Sequence, residues 1–421
     1  VVLISQLLRL LNKPLESKEV KMPLKLAHRT TLIKESPTFA VIAQANKLKA
    51  AGHDVIILAA GEPDFDTPDH IKDAAIVAIK AGKTKYTAVG GLLQLREAIV
   101  NKFAHENNLE YGINEVLVSA GGKHSIYNTL QAIIDDGDEV ITPAPYWVSY
   151  PDMVLLAGGT PVFVACPIED CFKMTATKLE QYITSKTKAV ILNSPSNPTG
   201  MVYTRDEMVA IANVLRKYPD IYIISDDIYE HMIFNDAQKF YNIVNVAPDL
   251  SNRTIVINGV SKSYAMTGWR IGYAACNNAP LIKAMENIQS QSTSNPCSIA
   301  QYAAIAALNG GLDCVIPMRK AFIERHKYVV NQLNSIRGIR CLEAQGAFYA
   351  FFDCTQAIDN MYDAGKITEK TDLALATYLL NEAFVAFVPG SAFGMVNYMR
   401  LSFATSMGEL TRALERVAKV L

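Results

Sequence analysis

Between residues 115 and 274 the chain alternates short, apolar, β-prone runs with helix-length segments, and this alternation restricts the fold more than any other feature. The runs lie at 115–119, 139–142, 161–165, 189–193, 221–225, 254–257 and 270–274. Strands spaced by helices imply crossover connections. A mainly parallel, seven-stranded sheet with helices on both faces is therefore expected, an α/β architecture. Upstream, helices are expected over 38–51 and 93–106, with a short strand at 55–58. Thr67-Pro68 reads as an N-cap with proline at the first helical position, opening a helix that closes near Gly82.

Beyond Ile316 the organisation changes. A long helix over 318–335 leads into shorter strands near 347–352 and 399–403, and a final helix ends the chain. This reads as a second, smaller α+β domain, and 421 residues are enough for both. The expected division is an N-terminal extension over 1–21, before a start at Met22, and a segment over 22–66 that joins the small domain. A large domain over 67–308 and a small C-terminal domain over 309–421 complete it.

The charge balance narrows the class of partner. With 40 basic against 41 acidic residues and no long block of one sign, neither a nucleic-acid nor a polybasic membrane role is expected. Seven scattered cysteines without a C-x-x-C pair suggest a reducing compartment. The apolar opening over 1–11 is too short to span a bilayer and lacks the flanks of a signal peptide. A cytoplasmic location is the default expectation.

The chemistry centres on Gly259-Val260-Ser261-Lys262-Ser263-Tyr264-Ala265-Met266-Thr267-Gly268-Trp269-Arg270-Ile271-Gly272. Lys262 follows a β-prone run, so it falls in a loop at the carboxyl end of a strand, where open α/β sheets hold ligands. An amine among small residues can condense with an aldehyde, and Arg270 offers a planar cationic fork to phosphate. The pair suggests pyridoxal phosphate. Alone, a surface lysine and a structural arginine explain it better.

Other strand ends carry matching parts. Ser119-Ala120-Gly121-Gly122-Lys123-His124 precedes a helix whose first amides can hold an anion, although a plain glycine turn serves equally well. Trp147 can stack on a flat ring, or simply pack. Asn197, in a turn-rich loop, can donate to a ring oxygen. Asp226 follows a very apolar strand, where an acid is expensive unless paired; a pyridinium N–H is one partner and a helix cap another. Tyr229, three residues on, can reach the ring oxygen. Each part is ambiguous singly; together, each matching one part of the same cofactor, they are far less so.

Together the motifs resemble the class I aminotransferases of the aspartate aminotransferase superfamily, pyridoxal-phosphate enzymes of fold type I. The resemblance runs from about Met22 to the C terminus. It rests on G-x-[ST]-K-x-x-[AG]-x-x-x-x-R-x-G around Lys262, Gly-Glu-Pro-Asp-Phe at 61–65, Asn-Pro-Thr-Gly at 197–200 and Asp-x-Ile-Tyr at 226–229. It implies that Lys262 forms the Schiff base, Asp226 partners the pyridine nitrogen, Asn197 and Tyr229 serve the ring hydroxyl, and Trp147 stacks on the ring. Gly121, Gly122, Ser261 and Arg270 match the phosphate cradle. Tyr86 matches a tyrosine that reaches the phosphate of a neighbouring subunit, which implies a homodimer with shared sites. Arg400 and Gly61 match the contacts to the substrate α-carboxylate.

No arginine occurs between Arg270 and Arg319, where the best-known relatives carry one for the distal carboxylate. The chain is more similar to a subgroup in which a lysine at the position of Lys123 takes that task. Some of its members accept prephenate, using that lysine with residues that match Lys34 or Thr38; Glu35 stands where the subgroup commonly has proline. The resemblance implies ping-pong transfer of the amino group of aspartate to 2-oxoglutarate. Prephenate or aromatic transamination is the alternative, followed by a β-lyase. A non-enzymatic sensor would need a DNA-binding module for which the first 40 residues are too few.

Overall fold

The computed structural model describes residues 25–33, 37–235 and 239–421. The extension expected over 1–21, together with Lys34 and Glu35, lies outside the described residues. The central sheet consists of β1 (Val116–Ser119), β2 (Glu139–Ala144), β3 (Thr160–Ala165), β4 (Thr187–Asn193), β5 (Tyr222–Asp226), β6 (Thr254–Gly259) and β7 (Gly272–Ala275). Their spatial order is β1-β7-β6-β5-β4-β2-β3. Only β7 runs against its neighbours; the other pairings are parallel.

Every residue of β1 and β6 is buried, because helices cover both faces. The helices α1 (Pro37–Ala50) and α2 (Asp69–Lys80) precede the central sheet in the chain. Alternate residues serve opposite layers. Val116, Val118 and Val256 pack with Leu95, Ile99 and Phe103 of α3 (Leu93–Asn107), while Leu117, Ile255 and Ile257 pack with α4 (Gly122–Ile133) and α5 (Ala279–Ser292). Ile255, Val256 and Ile257 have no exposed surface, and each such burial contributes about 1.5–3 kcal/mol.

Parallel strands finish on one edge of the sheet, and the reversed strand begins there. The loops leaving β1, β2, β4, β5 and β6, and the loop entering β7, consequently open together. Gly272 allows this crowding, since a Cβ there would overlap the backbone of Gly121 and Gly122. Arg270 is expected inside the last strand but precedes it, held in the left-handed region at φ +56°. The close approach at Gly272 delays the start of regular pairing by two residues.

A second sheet, antiparallel and ordered β10-β11-β9-β8, comprises β8 (Arg340–Cys341), β9 (Tyr349–Asp353), β10 (Val388–Pro389) and β11 (Tyr398–Ser402). The segment near residue 57 attaches to this half. Ile56 and Ile57 pair with Val385 and Ala386, and the Ser402 N–H donates to the Leu58 carbonyl at 2.8 Å. Thr67 does not cap the helix Asp69–Lys80, which starts without a side-chain cap. Its hydroxyl instead donates to the Ala265 carbonyl (2.7 Å) and accepts from Trp269 Nε1 (3.0 Å), so a tertiary contact with the lysine loop replaces the local one.

A buried ion network fastens the loop after β5. Lys102 of α3 pairs with Glu230, which also accepts from Asn107 (2.6 Å) and Asn258 (2.7 Å). His231, next in the chain, bonds Ser263 Oγ at 2.8 Å, one residue past Lys262. Burial alone would raise the Glu230 carboxyl, but Lys102 and His231 bring it down to about 2. Replacing Lys102 by Met strands that charge. The variant should lose about 3–5 kcal/mol of unfolding free energy in a urea titration, and a loss below about 1 kcal/mol, the median of exposed pairs, would contradict the burial argument. Among the described residues no helix is long and apolar enough to cross a membrane.

Candidate active site

The loops at the strand ends enclose a cavity of about 540 Å³. Gly61, Gly122, Lys123, Trp147, Asn197, Asp226, Tyr229, Ser261, Lys262, Arg270 and Arg400 all line it, and Thr38 reaches it from the helix Pro37–Ala50. Gly121 stands just behind, against Arg270. Tyr86 does not join them: it is 92% exposed on the surface of the chain.

Lys262 follows β6 and its amine donates to the Gly61 carbonyl. Its pKa falls to about 8, chiefly through burial of the amine, with Arg270 and Arg400 adding to the fall and Glu62 and Asp226 opposing it. Burial, and not Arg270, is thus the main cause. At the end of β5, Asp226 is 5% exposed. It accepts from the Tyr150 hydroxyl at 2.6 Å and from the Ile228 N–H at 3.4 Å, neither of them a cation. Burial raises its carboxyl to about 6 against the pull of Tyr150, Ile228 and Lys262.

Arg400, on β11, is 3% exposed. Its guanidinium donates to the Asn197 side-chain oxygen (2.9 Å) and the Ala59 carbonyl (2.7 Å), while its Nε has no partner among the described residues. The rings of Tyr349 and Phe393 lie 4.6 and 4.9 Å from its central carbon. A desolvated guanidinium satisfied only by neutral oxygens is prepared for an anion. Because Arg400 engages the Asn197 oxygen, only the amide NH₂ of that residue remains to donate into the cavity.

At another wall Gly121, at φ +93°, turns β1 into the helix α4. The first N–H groups of a helix lack intrahelical acceptors, and Arg270 lies beside these, donating to the Thr267 and Ala120 carbonyls (2.9 and 3.4 Å). A Cβ on Gly121 would fill the place of that guanidinium. Lys123, exposed at the rim, holds its Nζ 5.0 Å from the Trp147 ring.

Two tyrosines of the site escape sequence reasoning. Tyr150, edge-on to Trp147 at 5.3 Å, was reachable only from its spacing of three residues after that tryptophan. Tyr349 also lines the cavity, yet in Phe348-Tyr349-Ala350-Phe351-Phe352 it reads as core.

Residues 53–417 match the family model of aminotransferase class I and II. The aspartate/prephenate aminotransferase of Nitrosomonas europaea is 57% identical over 398 residues, which cover 94% of this chain and all of that protein. The enzyme of the same name from Cereibacter sphaeroides is 53% identical over 386 residues, covering 91% and 96% respectively. Among solved structures, the aspartate aminotransferase of Rhizobium meliloti superposes with a TM-score of 0.89 at 46% identity, covering 94% of this chain and 98% of that one. The chain belongs to the class I and II aminotransferases.

Proposed function

We propose that this aminotransferase moves the amino group of aspartate to 2-oxoglutarate, using pyridoxal 5'-phosphate in the cavity at the strand ends. The observation that carries the reading is the convergence of a desolvated amine, Lys262, a buried acid hydrogen-bonded to no cation among the described residues, Asp226, and a desolvated guanidinium, Arg400, on one cavity. The cofactor fits the residues present. Asp226 would hold the pyridine nitrogen, Asn197 and Tyr229 the ring oxygen, and Trp147 the ring face. Gly121, Gly122, Ser261 and Arg270 would hold the phosphate, where the space left by the missing Cβ of Gly121 already admits a guanidinium.

When bound, the cofactor supplies an aldehyde that exchanges amino groups and a ring that takes up the electrons of Cα–H cleavage. The chain does the rest. Arg400, with the backbone at Gly61, fixes the α-carboxylate and orients the Cα–H bond. Lys262 would take the Cα proton and deliver it two atoms along, to the carbon on the far side of the transferred nitrogen, which one neutral amine of lowered pKa can do in both directions. Asp226 would hold a positive charge on the ring nitrogen. Lys123 binds the distal carboxylate of aspartate.

Gly121→Ala should weaken cofactor binding by about tenfold or more, because a Cβ displaces Arg270 and the position is strained for an L side chain. Fluorescence titration with pyridoxal phosphate measures this, and unchanged affinity would remove Gly121 from the cradle. Lys123→Ala should lower kcat/KM for aspartate about 100-fold, the loss of one charge-assisted bond, with far less effect on amino acids lacking a side-chain carboxylate. Unchanged kcat/KM for aspartate would refute the distal-carboxylate role.

The large apolar wall formed by Phe39, Ile42, Ile126 and Val148 favours a second reading, turnover of prephenate beside aspartate. The Nitrosomonas europaea and Cereibacter sphaeroides relatives carry both substrates in their names. Thr38, at the cavity, and Lys34 are the proposed contacts, and substituting either should reduce prephenate turnover selectively. We further propose a homodimer in which Tyr86 completes the partner's phosphate site. The exposed Ile76, Val77, Ile79 and Leu93, 46–64% accessible, support a covered face there. A cytoplasmic location agrees with seven free cysteines. The division at 67–308 and 309–421, with 22–66 joining the smaller part, is proposed on the two separate sheets.

A further inference from the structure

Tyr349 has no part in the reading above, although it touches two of its principal groups. The residue has no exposed surface and lines the cavity. Its hydroxyl lies 2.8 Å from that of Tyr229, and its ring lies 4.6 Å from the Arg400 guanidinium. Both facts come from one side chain on β9, whose backbone pairs with β11 so that Phe351, two residues on, faces Arg400 across the ladder.

Two phenols at this distance share one hydrogen bond, so one donates and the other accepts. Tyr229 carries a single proton. Given to Tyr349, it is lost to anything in the cavity. Accepting from Tyr349 instead leaves the Tyr229 proton free for the cavity, and the accepted bond polarises that O–H into a stronger donor. The surroundings decide the direction. The Arg400 guanidinium lies 4.6 Å from the Tyr349 ring; burial raises both phenols and Arg400 opposes the rise in both, but at Tyr349 it is the leading influence against burial, which favours Tyr349 as the donor.

We propose that Tyr349 is a positioning residue: it donates to Tyr229, aims the Tyr229 proton at the cofactor ring oxygen, and links that bond to the carboxylate clamp at Arg400. The inference rests on the cofactor reading given above. With the cofactor bound, a donor to its ring oxygen would favour the deprotonated form of that oxygen, so weakening the donor would move the colour change on titration to higher pH.

The test titrates, by absorbance, the pyridoxal-phosphate-loaded wild type, Tyr349→Phe, Tyr229→Phe and the double variant. Phenylalanine keeps the ring against Arg400 and removes only the hydroxyl. The midpoint should rise by about half a pH unit in Tyr349→Phe and by about one unit or more in Tyr229→Phe. The double variant should match Tyr229→Phe alone, because Tyr349 acts through Tyr229. Maleate, a non-reacting dicarboxylate, should bind Tyr349→Phe within about twofold of wild type but Tyr349→Leu several-fold more weakly, since only leucine removes the ring from the guanidinium. An unmoved midpoint in Tyr349→Phe, or a shift that persists in the Tyr229→Phe background, overturns the proposal. Wild-type protein that takes up no colour overturns the cofactor reading itself, and does so before any variant is compared.

Discussion

Lys262→Ala is expected to lower the rate of amino transfer from aspartate by about four orders of magnitude or more, the combined loss of the proposed covalent anchor and proton carrier. No other described amine can stand in: Lys123 is at the rim against Trp147, and Lys102 is committed to Glu230. The loss should separate into two measurements. Borohydride treatment of the cofactor-loaded wild type should add the cofactor's mass to the chain, whereas the variant should gain none. Single turnover by the variant should recover with added methylamine, which replaces the base but not the anchor. A variant that retains more than about a hundredth of the wild-type rate would deny Lys262 both tasks.

The same residue carries a pH dependence. Its amine loses a proton at about 8 instead of 10.5. Only the neutral amine attacks an aldehyde, so uptake of pyridoxal phosphate by the bare chain should quicken from pH 6 to about 8 and level off above it. An uptake rate still climbing steeply beyond pH 9 would mean that the amine is as wet as an ordinary lysine.

Much of this arrangement is legible in the sequence because parallel strands export their chemistry to the residues just after them. Trp147, Asn197, Asp226, Tyr229 and Lys262 each follow a β-prone run by a few positions, so local pattern and topology together bring them to one edge. What resists reading depends on partners remote in sequence. Thr67 looks like a cap until Trp269 and Ala265 take its hydroxyl. Arg270 looks like the first residue of a strand until Gly272 meets the turn at Gly121 and Gly122. Tyr349 reads as core because its hydroxyl partner lies 120 residues away. The size of the Lys262 shift is of the same kind, since burial comes from the assembled walls and not from the neighbours in the chain.

Asp226→Asn should separate stability from catalysis. In the bare chain this carboxyl titrates at about 6, raised by burial from 3.8. A carboxyl raised on folding contributes favourably below the unfolded pKa, and that contribution disappears as pH rises through the folded value. At pH 7.5 the bare wild type therefore holds an ionised acid with no cation bonded to it. Asparagine is the same size, can still accept from the Tyr150 hydroxyl, and carries no charge. The variant should be more stable than wild type by about 1–3 kcal/mol at pH 7.5, with the difference vanishing near pH 4, when both are titrated with urea without cofactor. Catalysis should move the other way. Without a carboxylate behind it, a pyridine nitrogen is not held positive, the ring takes up electrons poorly, and kcat should fall about 1,000-fold. Asp226→Glu, which restores the charge at a displaced position, should recover part of the activity but none of the added stability. An asparagine variant that works within tenfold of wild type would mean that the acid serves the fold and not the ring. One that is no more stable at pH 7.5 would mean that the carboxylate already has a cationic or water partner in the bare cavity.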